Sequence, residues 1–169
     1  MSLSPSVDAV LPTQYLTFSL AGESYAIGIL AIKEIIEYDG LTEVPMTPPS
    51  VRGVINLRGA VVPVIDLAVR FGKPASTVGK RSCIVIVEID EGRDRPVLGV
   101  MVDAVNEVLD IPPADIEPPP SFGNAIGREF IAGIGKVRGK FVILLDVARA
   151  LSLDELGGLT QAAAALDAA

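Results

Sequence analysis

Residues 51–70, VRGVINLRGAVVPVIDLAVR, lie over residues 131–150, IAGIGKVRGKFVILLDVARA, at a constant offset of 80 and without a gap. Gly53 meets Gly133, Arg58-Gly59 meets Arg138-Gly139, Asp66 meets Asp146 and Ala68 meets Ala148. Apolar residues mostly meet apolar residues between them. Turn-forming residues kept at one phase are hard to obtain from composition alone, so the chain carries one unit twice. A weaker pairing precedes this one: AIGILAIKEII (26–36) lies over GVMVDAVNEVL (99–109) at an offset of 73, with Ala31 on Ala104, Ile32 on Val105 and Glu34 on Glu107. A Pro-rich loop comes after each, and the halves begin alike, with YLTFSL and CIVIVEI. The units span roughly 14–70 and 82–150. Two copies are too few for a solenoid. They make a pair of related subdomains, each of ~60 residues and so marginal alone, which predicts a shared interface.

Each unit reads as β. QYLTFSLAGESYAIGI is strand, Gly-containing turn, strand. AIKEIIEY is short and rich in Ile, which favours strand over helix. VRGVINLRGAVVPVID is a hairpin with Arg58-Gly59 at its tip, where Gly supplies the positive φ of a tight turn. Gly53 sits inside the first of these strands, a place for a bulge or a close backbone approach. Asp66 ends the second strand and can cap the next turn or short helix. About five short strands per unit predict a small barrel. In the tail, Ser152 and Glu155 have capping-box spacing and Gly157-Gly158 would end a helix. Residues 1–13 are expected to be disordered, 14–156 to form the domain, with one subdomain of roughly 14–70 plus C-terminal elements and another of roughly 82–150, and 157–169 a tail, the whole being a self-contained protein.

Half of the 169 residues are hydrophobic, and the mean hydropathy is +0.49. No run approaches the ~20 apolar residues of a membrane helix; Pro63, Asp66 and Asp146 interrupt the longest. Val- and Ile-rich runs of this length fit buried strands. A net charge of −7 opposes a nucleic-acid surface, which must be basic. There is no polybasic lipid-binding segment, and the N-terminus lacks the pattern of a secretory signal. One cysteine makes no internal disulfide, and the cytoplasm is the expected compartment.

The chain has no histidine, which removes the commonest general base, nucleophile partner and metal ligand. Cys83, in SCIVIVEI, would need a lowered pKa to be reactive; Lys80 and Arg81 are near, but an apolar strand predicts a buried structural thiol. The acidic stretch EIDEGRDR (88–95) lacks the ligand alternation of a calcium loop and reads as a solvated turn. No phosphate-cradling glycine pattern is present. Asp66 and Asp146 resemble a carboxylate pair, but as equivalents in two copies they are better explained as caps.

A binding module remains. Arg58 and Arg138 occupy the two Arg-Gly tips, and a guanidinium suits interface carboxylates. Arg138 reads as a solvated turn residue. Arg58 has Glu34 in its own unit as a partner, and the pair either orients a binding surface or braces two strands. Ile32 and Val105, at equivalent positions, are either core or the walls of a groove between subdomains. A barrel of this size is not expected to bury every Val and Ile, and exposed apolar patches mark interaction sites. Phe122, in PPPSFGNAIG, is either an aromatic loop anchor or tucked over the barrel.

YLTFSLAGESYAIGILAIKEI, RGVINLRGAVVPVIDL and GVMVDAVNEVL together resemble the CheW family of bacterial chemotaxis coupling proteins, over Gln14 to Leu156. The G-V-x-N-L-R-G-x-x-V-P-V-x-D-L run is specific to CheW-like domains, which include the stand-alone adaptor, the kinase regulatory domain and the adaptor half of CheV proteins. The resemblance implies a mainly β fold of two intertwined five-stranded SH3-like barrels with short helices and a C-terminal helix. It implies no catalysis and no cofactor or metal. The implied role is a chemotaxis adaptor, monomeric alone, that couples the cytoplasmic tips of chemoreceptors to the regulatory domain of the CheA-type histidine kinase and is recruited to membrane-associated arrays. The receptor hairpin would dock between the barrels and the kinase domain against the barrel ends.

Carried over by motif, Ile32, Glu34, Arg58, Cys83, Ile84, Val105 and Val108 match positions tied to the receptor groove or its bracing. Arg52, Gly53, Gly59 and Phe122 match positions near kinase contacts. Cys83 stands where other members have an aliphatic residue. The alternatives within the family are a kinase or CheV-type domain, or a scaffold in a non-flagellar pathway. Outside it, the alternatives are a small enzyme or redox protein using Cys83 and a structural homodimer.

Overall fold

The computed structural model describes residues 13–89, 96–119 and 130–151. The expected disordered start, most of the acidic turn, Phe122, the Ser152/Glu155 capping box and the C-terminal helix therefore lie outside the described residues, apart from Thr13, Glu88 and Ile89 at their margins.

Strands β1 (Gln14–Leu20) and β2 (Glu23–Gly28) form a hairpin. A single 3-10 turn over Ile29–Ala31 leads into β3 (Ile32–Glu37). The next hairpin joins β4 (Val51–Leu57) to β5 (Ala60–Asp66) and runs into the one-turn helix α1 (Leu67–Arg70). The second copy repeats this with β6 (Cys83–Glu88), β7 (Val97–Val102) and β8 (Ala104–Asp110). It then adds the two-residue β9 (Ile116–Glu117), the hairpin β10 (Ile131–Val137) and β11 (Lys140–Leu145), and α2 (Val147–Ala150).

The protein is mainly β, with two sheets, ordered β8-β1-β2-β11-β10-β9 and β3-β6-β7-β5-β4. These sheets do not coincide with the sequence halves 14–70 and 82–150. The first sheet combines β1 and β2 of the first copy with the last four strands of the second, and the second sheet combines β6 and β7 of the second copy with the last three strands of the first, so the SH3-like barrels are intertwined. The reason lies in the parallel pairs β2–β11 and β5–β7. A parallel neighbour needs a long crossover, and the short connections at Ile29–Ala31 and Asp103 carry the chain from one sheet to the other instead. The sixth strand of the first sheet is β9, paired with β10 at only two positions.

This exchange explains the high hydropathy. In β6, Val85 and Val87 face a core shared by both sheets, while Ile84 and Ile86 face a core belonging to the second sheet. Val100 and Val102 of β7 join the shared core and Met101 the other. From the first sheet, Leu16, Phe18, Leu20, Tyr25 and Ile27 enter the shared core, and Ala26 enters a third cluster with Val142 and Leu144. Strands buried on both faces read as continuous apolar runs. Most of the apolar surplus is thus buried rather than left on the surface. Each fully buried aliphatic side chain contributes ~1.5–3 kcal/mol.

Candidate functional site

The β4–β5 tip has two central residues, and both have positive φ, +52° at Arg58 and +89° at Gly59. That is the requirement of a type I′ turn, whose twist matches the flanking strands. Gly59 N donates to Asn56 Oδ1 at 2.7 Å, which fixes the tip. The tight turn leaves the Arg58 side chain 73% exposed, and it reaches across to β3. There Nη1 and Nη2 donate to Oε2 and Oε1 of Glu34 at 2.7 and 2.8 Å. The bidentate fork sets geometry as well as charge. The hydrogen bond from Arg58 holds the Glu34 carboxyl below its ordinary value, and Glu34 in return raises the Arg58 guanidinium. The pair anticipated from sequence therefore forms.

Glu34 lies on β3, the outer strand of its sheet, between half-buried Ile32 and Ile36. Ile32 packs against the shared core, and so does Val105 from β8, the outer strand of the other sheet. The two alternatives for these residues merge: each is partly core and partly surface, flanking one cluster from opposite sheets. Val108 is 49% exposed. Ile84 is different. It is 1% exposed, on a strand held between β3 and β7, and so is closed to direct contact with a docked partner. It forms part of a cavity of about 570 Å³ with Ile36, Leu41, Val54 and Asn56. Cys83 is half-buried rather than fully buried because it begins β6; its thiol donates to the Arg81 carbonyl at 3.4 Å.

The residues matched to kinase contacts have other partners. Arg52 donates to Asp66 Oδ2 at 3.2 Å and to the Ser76 carbonyl at 3.1 Å. Gly53 comes just after a bulge in the β4–β5 register, with φ +154°, and a Cβ there would collide with the Thr42 carbonyl oxygen. That close approach permits the Thr42–Val54 bridge. Gly53 is thus required by the backbone, as the sequence predicts.

The second copy repeats the plan more loosely. Arg138 is 74% exposed at the other tip, 3.6 Å from Glu107, the equivalent of Glu34. Asp146 caps α2 through Arg149 N, while Asp66 caps α1 through Ala68 N, so each aspartate serves its own helix. Sequence reading missed exposed Leu30 (74%) and Ile35 (42%), beside Ile32 and Glu34, because their facing depends on the 3-10 turn and a register shift in β3. It also missed Met46 and Phe141. Among the described residues no three acidic or cysteine side chains converge to hold a metal ion, and no helix is long and apolar enough to cross a membrane. The geometry offers recognition chemistry: a fixed ion pair on one face of an edge strand and, on its other face, the partly exposed Ile32 and Ile35.

Comparison with known proteins agrees. The profile of the CheW-like domain matches residues 14–155. The chain is 34% identical over 143 residues to a chemotaxis protein CheW from Klebsiella aerogenes, covering 85% of this chain and 84% of that one. It is 36% identical over 141 residues to the Helicobacter pylori chemotaxis protein CheW, covering 83% and 82%. The crystal structure of the scaffolding protein TtCheW from Thermoanaerobacter tengcongensis superposes with a TM-score of 0.75 at 37% identity, covering 86% of this chain and 96% of that one. The repeated plan, the exchanged sheets and these likenesses place the chain in the family of CheW-like domains.

Proposed function

We propose that this protein is a non-enzymatic adaptor that couples the cytoplasmic tips of chemoreceptors to the regulatory domain of a CheA-type histidine kinase, at membrane-associated arrays. One observation carries the reading: the Arg58–Glu34 fork is solvent-facing, with both donors within 2.8 Å, on a sheet edge beside Leu30, Ile32 and Ile35. An exposed pair held so tightly gives a docking helix a fixed polar register, and the neighbouring aliphatics give it apolar area at ~25 cal/mol per Å². Ile32, Glu34, Arg58, Val105 and Val108 form the receptor side, with Ile84 beneath it. On the kinase side stand Arg52 and Gly53, at the start of β4, and Gly59, at the β4–β5 tip. Phe122 is a further kinase candidate outside the described residues.

The test is titration of the purified chain with a kinase regulatory domain and, separately, with a receptor-tip fragment from the same cell. Saturable binding to both at distinct sites is expected, with the chain monomeric alone by light scattering. Binding to neither by a folded chain would overturn the reading.

A further inference from the structure

Asp66 is fully buried, and both its carboxylate oxygens are occupied. Oδ1 accepts from Ala68 N at 3.0 Å and Ser76 Oγ at 2.9 Å; Oδ2 accepts from Ser76 N at 2.8 Å and Arg52 Nη1 at 3.2 Å. Its own N–H donates to the Ser50 carbonyl at 2.7 Å. One residue thus ties the helix α1, the 73–82 loop and the end of the 38–50 loop. Arg52 belongs to this knot because it is the extra residue of the bulge between the pairs Val51–Ile65 and Gly53–Val64. A bulge re-aims a side chain, and here it leaves the Arg52 side chain only 25% exposed, its guanidinium bound to Asp66 and to the Ser76 carbonyl.

Arg52 also walls a cavity of about 370 Å³ with Glu43, Val44, Pro45 and Val51. The residue after Pro45 is Met46, fully exposed and held at φ +62°. The face made by residues 43–52 is therefore fastened at one end by Arg52. The other copy lacks the device: its bulge residue is Ala132, and the Asp146 side chain is 38% exposed.

We infer that Asp66 and Ser76 are positioning residues for a docking face formed by residues 43–52, and that Arg52 braces that face instead of contacting the partner. The asymmetry between the copies lets a partner tell one end of a pseudo-symmetric molecule from the other. The partner is the kinase regulatory domain, so that part of the inference rests on the function proposed above.

The experiment compares Asp66→Asn, Ser76→Ala, Arg52→Gln and the Asp66→Asn/Arg52→Gln double variant, all in the full chain. Affinities for the kinase regulatory domain and the receptor-tip fragment are measured with amide exchange at residues 43–51 and 76. Asp66→Asn is expected to weaken kinase binding about tenfold and Ser76→Ala severalfold, since a charged hydrogen bond is lost or thinned. Receptor-tip affinity stays within about twofold and exchange on the face quickens. The double variant costs no more than the worse single one, because the groups act as one unit. The salt dependence of kinase binding is unchanged in Arg52→Gln, whereas a contacting cation would flatten it. A flattened salt dependence, or Ser76→Ala binding and exchanging as wild type, overturns the inference. If Asp66→Asn does not fold, Ser76→Ala and Arg52→Gln decide. If the wild-type chain binds no kinase domain, the adaptor reading falls, and unchanged exchange in Ser76→Ala would then overturn the brace while faster exchange upholds it.

Discussion

Arg58 holds two requirements at once, since its backbone must take φ +52° and its side chain must reach Glu34. Arg58→Ala removes the second. We expect it to fold, by circular dichroism, and to lose receptor or kinase coupling in the binding titrations; unfolding instead would make the pair structural. The Glu34 carboxyl is held below its ordinary value of 4.5, chiefly by the hydrogen bond from Arg58. A depressed carboxyl contributes above its unfolded value and loses that contribution as pH falls through the folded one. Coupling through this pair therefore persists at neutral pH and fails only in acid, below the ordinary glutamate range. A carboxyl-detected NMR titration of Glu34, repeated in Arg58→Ala, checks this: the midpoint should rise in the variant. Gly53→Ala should destabilise by about 1–3 kcal/mol in denaturant melts, since its Cβ meets backbone that has no room to move. The Glu34–Arg58 pair was legible in the sequence because both residues fall in one copy beside a turn motif. The role of Arg52 was not, because a bulge that re-aims one side chain leaves no mark on the hydrophobic pattern.

Among elements, the strands and hairpins arise from local chemistry. Alternation, Ile and Val content and the Arg-Gly tips place β1 to β5 and their copies, and the positive φ at both tip residues accounts for the tips. The facing of individual side chains required the register. Ile84 reads from its motif as part of the receptor groove or of its bracing, and the position of β6 between β3 and β7 buries it. Ile84→Ala should therefore cost about 2–5 kcal/mol of stability as a cavity mutation. Val108→Asp, on the exposed edge strand β8, should change stability by less than about 1 kcal/mol and abolish receptor-tip binding. Thermal melts beside the titrations separate these two behaviours; the reverse pattern would move the docking surface away from β8.

At the scale of the molecule, the exchanged sheets make the two sequence copies interdependent. Neither copy alone owns a complete sheet, and the largest core draws on both. Fragments 1–77 and 78–169, divided in the strand-free stretch between α1 and β6, should each be unfolded alone and should regain β structure when mixed. Circular dichroism and gel filtration of the separate and combined fragments test this. Independent folding of either fragment would show that a copy can close on itself.

Read alone, the amino-acid order establishes that one β unit occurs twice, that the chain lacks the histidine chemistry of most catalysts, and where its tight turns and a special glycine inside β4 lie. These are properties of residues close in the chain, set by φ preferences and by alternation. Three-dimensional packing was needed to establish that strands of one copy complete the sheet of the other, that Ile84 is buried, and that Arg52 is bound to Asp66 and Ser76. Those outcomes depend on parallel pairing between distant segments and on a bulge that adds one residue to a strand, and neither leaves a periodic signal in the amino-acid order.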